Sequence, residues 1–243
     1  MQNLLSLERR LLKHPEEAEE WCKQIQDMID RGAAIVLSDE VLQEWKGDYY
    51  FLPMVGVKGK GKKGWLRVCF DASRRVYRHP SMNECLLKGP DNFINNILSV
   101  LLGFRNGRVG CAADISKFHN RVHLIEEDIH MQRFYWRNMQ TYTDPIVHAV
   151  PVVSFGVTPA NCIATSALQK SADCFAEVYP DESSELKDQI YVDDIFVAAE
   201  SKAHALTKSG IMRECQTRVG YIQGIICQMR LPSDLKTRRK YWE

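Results

Sequence analysis

Hydrophobic residues recur at helical spacing over residues 6–31, where Leu7, Leu11, Leu12, Trp21, Ile25, Met28 and Ile29 form an apolar stripe interrupted by Pro15. That pattern predicts a helix or a helix pair stopped at Gly32. Two short apolar runs, 49–57 and 65–70, flank Lys-Gly-Lys-Gly-Lys-Lys-Gly and predict a hairpin with a basic tip. Pro90-Asp91 opens a helix with Ile94, Ile97, Leu98 and Leu101 on one face and Asp91 as its cap or first-turn acid. After the Asn106-Gly107 turn, residues 109–115 are a continuous run of small apolar side chains, suited to a buried central strand. Residues 126–136 read as a short helix and 146–155 as a strand whose pairing Pro151 limits. Thr158 and Pro159 cap and start the clearest helix, with Ile163, Ala164, Ala167, Leu168, Phe175 and Val178 on one face and Pro180 as its end. Strands over 189–192 and 195–198 follow, with Asp193-Asp194 at the bend between them, then a last helix over 201–219.

With 45% hydrophobic and 26% charged residues in 243, disorder over the whole chain is excluded, and the length suits one domain or two interleaved subdomains. The longest apolar stretch, 97–104, falls far short of the roughly 20 residues of a membrane span, and charge enters the N-terminus too early for a signal peptide. The eight cysteines are scattered without a Cys-x-x-Cys pair, which predicts mostly buried, reduced thiols in a cytosolic or nuclear protein; with no span and no signal peptide the expectation is a cytoplasmic protein without a membrane partner. A net charge of +1 argues against bulk electrostatic binding of nucleic acid, but the charge is segregated. Lys58, Lys60, Lys62, Lys63, Arg67, Arg74, Arg75 and Arg78 face a single acid, Asp71, within residues 58–78, whereas the opening segment is acid-rich.

The strongest chemical signal is Tyr191-Val192-Asp193-Asp194, adjacent carboxylates at a hairpin bend, where they can face a cleft and a cation without being desolvated inside a strand. Turn chemistry alone also accounts for an Asp-Asp pair. Asp114, at the end of the 109–115 strand, supplies a third acid; if the two strands lie side by side, the carboxylates converge. Such a cluster needs divalent cations to offset mutual repulsion, and hard oxygen donors favour Mg²⁺. Read alone, Asp114 also fits as partner of Lys117 or Arg121. A cationic hairpin able to grip a triphosphate completes the parts that phosphoryl transfer requires, with Arg67 the better fixed fork; a solvated basic loop is the alternative.

Several segments now stand in order: Leu66-Arg67-Val68-Cys69-Phe70-Asp71-Ala72-Ser73, the run from Met82 to Asp91, Ala113-Asp114-Ile115-Ser116-Lys117, Phe155-Gly156 ahead of Thr158-Pro159, and the Asp-Asp box. In these the chain resembles the reverse transcriptase domain of long-terminal-repeat retrotransposons, most closely the Bel-Pao group, over residues 6–220. The resemblance implies an α+β, right-hand polymerase fold of fingers and palm, with an antiparallel palm sheet backed by helices and no thumb. It divides the chain into fingers (1–90, N-terminal helices and basic hairpin), palm (91–124), fingers (125–150), palm (151–222) and a truncated or irregular tail (223–243). It implies an RNA-directed DNA polymerase, a Mg²⁺-dependent nucleotidyltransferase acting on an RNA or DNA template with primer and on deoxynucleoside triphosphates, alongside other segments of a retrotransposon polyprotein.

Residue by residue, Asp114 matches the first catalytic metal acid, Asp193 the second, and Asp194 its less directly liganding neighbour. Arg67 with Lys60 or Lys62 matches the residues that close on the triphosphate. Phe118, His119, Phe155 and Gly156 match positions around the incoming nucleotide, and Tyr191 a position near the primer end. His119 stands where the family usually has an aromatic residue that excludes the ribose 2′-hydroxyl, and no lysine follows Gly220-Tyr221 before Lys236. Those departures and the short C-terminal tail give the alternative expectation, a catalytically inactive, truncated retroelement-derived module that binds nucleic acid through its basic hairpin.

Overall fold

The computed structural model describes residues 1–59, 66–75, 79–90, 94–218 and 225–230, with the backbone alone from 215 onward. Along the chain run α1 (Gln2–Leu11), α2 (Pro15–Asp30), β1 (Ile35–Val36), α3 (Asp39–Glu44), β2 (Met54–Lys58), β3 (Leu66–Phe70) and α4 (Met82–Cys85). Then come α5 (Ile97–Phe104), β4 (Val109–Ile115), α6 (Glu126–Ile129), β5 (Arg133–Trp136), β6 (Ile146–Ala149), α7 (Ala160–Asp173) and α8 (Pro180–Asp188). The series ends with β7 (Ile190–Tyr191), β8 (Asp194–Ala199), α9 (Lys202–Arg218) and β9 (Ile225–Arg230). The fold is mixed helix and sheet, and every pairing between these strands is antiparallel. Among the described residues, no helix is long and apolar enough to cross a membrane.

The chain forms two compact units and visits each twice: residues 1–87 with 123–160, and 88–122 with 161–243. In the first unit the apolar stripe of the N-terminal helices points inward through Leu4, Leu7, Leu11, Trp21, Ile25 and Met28. Pro15 is the first residue of α2, where its missing N–H costs nothing. Trp21 stacks on Trp136 of β5, ring centroids 6.2 Å apart, fixing α2 against the three-stranded sheet ordered β1-β6-β5. Glu8 on α1 is almost fully buried, and the Arg137 guanidinium meets it as a fork, Nε to Oε1 at 2.7 Å and Nη2 to Oε2 at 2.5 Å. The β2–β3 hairpin leaves one edge of β3 free, and Gln24 of α2 occupies it. Its Oε1 accepts from Val68 N at 2.9 Å while its Nε2 donates to Leu66 O, so a side-chain amide does what a neighbouring strand would do.

The second unit is built on a four-stranded sheet ordered β7-β8-β4-β9. Its core gathers Ile115, Phe118, Ala164, Leu168, Ala172, Leu186, Ile190, Ile195, Val197 and Met212 from the sheet and from α7, α8 and α9. β4 is an inner strand of this sheet, paired antiparallel with β8 along one edge and with β9 along the other.

Several expectations are corrected. The cap of α5 is Asn96, whose side chain accepts from Leu98 N at 2.9 Å and Ser99 N at 3.4 Å; Asp91 lies outside the described residues. Starting later, α5 buries Val100 and leaves Ile97, Leu98, Leu101 and Leu102 exposed, because apolar periodicity does not distinguish an inward from an outward face. Residues 126–136 are helical only at first; Arg-Phe-Tyr-Trp, rich in strand formers, leaves the helix and pairs with β6 as β5. β6 ends at Ala149, ahead of Pro151. α7 ends at Asp173, and Pro180, rather than terminating it, is the first residue of α8. Residues 225–230, expected in an irregular tail, form β9. Of the free thiols, Cys22, Cys69 and Cys162 are half-buried and Cys85 and Cys174 exposed, not buried as anticipated.

Candidate metal centre

Asp114 is the penultimate residue of β4 and lies directly opposite Asp194, the first residue of β8. Asp193 belongs to the two-residue turn between β7 and β8, and its carbonyl accepts from Ile115 N at 2.8 Å, tying the turn to the end of β4. The three side chains thereby converge, with one carboxylate oxygen from each lying within 4.8 Å of the others. Burial, and then the Asp193 carboxylate, push Asp114 above the usual aspartate range; burial followed by Asp193 and Asp114 does the same to Asp194. Like charges placed directly across a strand pair oppose folding. Three hard oxygen donors at one strand end match a divalent cation, which would convert that repulsion into coordination.

The turn itself is strained. Val192 has φ 57°, a left-handed conformation that is a genuine outlier for a β-branched side chain. With positive φ only at its first central position, the turn is of the II′ kind, where glycine is the usual occupant. A valine there costs about 1–3 kcal/mol, held by the pairing around it. Asn95 contributes by donating from Nδ2 to Lys187 O at 2.6 Å and Ile190 O at 2.9 Å, which fastens the start of β7. Tyr191, half-buried, pairs with Asp194 across the hairpin.

Phe118 and His119 follow β4 through Lys117, itself left-handed at φ 55°. Phe118 sits in the hydrophobic core of this unit at 1% exposure, a core side chain rather than a surface one. His119 is also buried, and its Nε2–H donates to Asn161 Oδ1 at 2.7 Å, which fixes the ring. Burial holds its pKa below the usual histidine value, with Asn161 and Asp193 pulling the other way.

The remaining candidates belong to the other unit. Arg67 is exposed on β3 opposite Val57; Lys60 and Lys62 lie outside the described residues. Phe155 is 48% exposed, and Gly156 adopts φ +88° with a notional Cβ only 3.3 Å from Phe70 O, so the turn requires glycine. Asn83 holds this turn. Its Nδ2 donates to Gly156 O and to Ser73 Oγ, both at 2.8 Å, and its Oδ1 accepts from Thr158 N at 2.8 Å. Asn83 lay within a recognised motif but carried no role, because a lone asparagine shows its bonding partners only after folding. Asn161 was missed for the same reason, and Val192 because a β-branched residue carries no sequence signal for a positive φ.

No protein-family model matches the chain, and no curated protein matches it either.

Proposed function

We propose that this chain is the fingers-and-palm portion of a retrotransposon-type reverse transcriptase, an RNA-directed DNA polymerase. The observation that carries the reading is the convergence of Asp114, Asp193 and Asp194 at one end of an antiparallel sheet, on a strained hairpin turn, within a helix-backed unit. The double passage of the chain through two units supports it further.

In this reading a primer 3′-oxygen gives its proton to water and forms a bond to the α-phosphorus of a deoxynucleoside triphosphate, the bond from that phosphorus to the α,β-bridging oxygen breaks, and pyrophosphate departs with the electron pair. Asp114 and Asp193 would hold Mg²⁺, which supplies charge neutralisation at phosphate and a more acidic primer hydroxyl. Asp194 lends negative potential beside them. Arg67, with Lys60 or Lys62, is assigned to the triphosphate, where a guanidinium fork matches phosphate oxygens. Phe155 and Gly156 are assigned to the base-facing turn, His119 to the sugar and Tyr191 to the primer end.

The test is extension of a DNA primer on an RNA template with Mg²⁺. Wild-type protein should incorporate nucleotides and Asp193→Asn should lose incorporation by at least a hundredfold, in line with removing a catalytic cation's ligand. Extension that survives Asp193→Asn, or a wild-type protein that incorporates nothing, would refute the proposal.

A further inference from the structure

The first unit carries a second feature independent of the acidic triad. Residues 50–52 run along the outer edge of β5: Tyr50 N donates to His130 O at 3.1 Å, Arg133 N to Tyr50 O at 3.0 Å and Leu52 N to Arg133 O at 2.7 Å. Extended backbone alternates its side chains, so Tyr49 and Phe51 share a face with Arg133 and Tyr135. On that face Phe51 and Tyr135 stack in parallel, centroids 4.2 Å apart and planes 2° from parallel, and Tyr49 meets Phe51 edge-on at 5.9 Å. The Arg133 guanidinium lies 4.7 Å from the centre of the Tyr49 ring. Behind it His130 stacks on Trp45 at 3.8 Å and accepts from Arg133 Nε at 3.1 Å and Nη2 at 2.7 Å through Nδ1.

The charge on this cluster is uncompensated. Arg133 is only 4% exposed, and among the described residues no carboxylate forms an ion pair with it. Its acceptor is a neutral imidazole, and ring faces return only part of the hydration it has lost. Glu126 acts electrostatically on His130, the imidazole bonded to Arg133, without forming an ion pair with the guanidinium. Over this cation Tyr49 remains 58% exposed, with Phe51 and Tyr135 half-buried. The surface thus offers a row of partly exposed aromatic rings, Tyr49 foremost, with a positive charge behind it. A ligand complementary to both is planar and anionic, which describes unpaired nucleotides: a base stacks and its phosphate offsets the guanidinium. A proline-rich peptide would use the rings but leave the cation unmatched.

We infer that the Tyr49, Phe51, Tyr135 and Arg133 face is a stacking surface for single-stranded nucleic acid. The inference does not rest on polymerase activity. Fluorescence anisotropy with a labelled 12-nucleotide oligo(U), in EDTA so that no divalent cation contributes, tests it. Wild-type protein should bind; Tyr49→Leu, which keeps apolar bulk but removes the π-face, should weaken binding about tenfold, and Tyr49→Phe should stay within about twofold of wild type. Tyr135→Leu should weaken binding similarly. Because neither leucine variant alters charge, the slope of affinity against salt should be unchanged by them. Absence of oligonucleotide binding, equal binding by wild type and both leucine variants, or Tyr49-dependent binding of a proline-rich peptide in place of the oligonucleotide would each overturn the inference.

Discussion

Neutralising one member of the acidic cluster should make the metal-free protein more stable. In Asp194→Asn the side-chain shape is retained and two like-charge repulsions disappear, toward Asp114 and toward Asp193. At 4.8 Å, the upper limit of the distances between the three ligand oxygens, two unit charges repel by about 0.9 kcal/mol in bulk water and about 3.5 kcal/mol at an effective dielectric constant of 20. Asp114 and Asp194 are solvent-exposed, so the lower figure governs each pair, giving a gain of about 1–2 kcal/mol at low ionic strength. At 0.15 M salt, where the screening length is about 8 Å, the gain should fall by roughly half. Urea unfolding in EDTA at pH 7 reads the difference directly as a shift in midpoint. Added Mg²⁺ should reverse the order, because a cation that binds the native state stabilises the wild type more than the variant. The pH dependence has a definite sign. Asp114 and Asp194 keep protons in the native state above the ordinary value of 3.8, so their contribution lowers stability as pH rises through that window, and Asp194→Asn should flatten the slope. A variant that is no more stable than wild type in EDTA and low salt would show that the three carboxylates do not repel as their spacing requires.

Three further outcomes are expected. Val192→Gly removes about 1–2 kcal/mol of left-handed strain but gives up half-buried apolar surface and adds unfolded-state entropy, so the unfolding midpoint should move little; a stability loss above about 3 kcal/mol would mean that the strain is not there. Asn83→Ala removes three side-chain hydrogen bonds and should cost about 1–3 kcal/mol, with amide exchange at Thr158 accelerating more than that at Leu168; uniform acceleration would deny Asn83 its local role. Glu84, paired with Arg75 and bonded to Ser81 N and Oγ, has its pKa drawn down from 4.5 to about 2. Its contribution is therefore present at neutral pH and lost as pH falls through that interval, and Glu84→Gln should remove that part of the acid-unfolding slope.

The acidic cluster was legible in the sequence because strand 109–115 and the Asp-Asp pair each announce themselves locally, and the C-terminal end of one strand meets the N-terminal start of the other in an antiparallel pair; only the bend lies one residue earlier than expected, at Val192-Asp193, with Asp194 already in β8. The same local signals misled around prolines. Pro180 reads as a stop, yet proline is as much at home at the first position of a helix, and only the turn over residues 174–179 decides between the two. Arg133 to Trp136 show how tertiary pairing selects: four residues following a helical turn join β6 because their partners lie there, a fact absent from their own periodicity. β9 was hidden because residues 225–230 become a strand by lying along β4, through pairs such as Gly110 with Arg230. The face containing Tyr49 and Arg133 could not be seen either, since it joins segments more than eighty positions apart.

The double passage of the chain through its units has a consequence for biosynthesis. Residues 1–87 emerge from the ribosome without the strands β5 and β6 that finish their sheet, so the first unit closes only once residue 160 has been made. By then β4 has already emerged, yet its partners have not: Val109 waits for Ala199 and Gly110 for Arg230. A central strand, Val-Gly-Cys-Ala-Ala-Asp-Ile, is thus held without neighbours for the whole time that residues 116–193 are synthesised. Contacts of such sequence separation form slowly. The interval in which β4 is unpaired should raise the protein's dependence on chaperones during its synthesis.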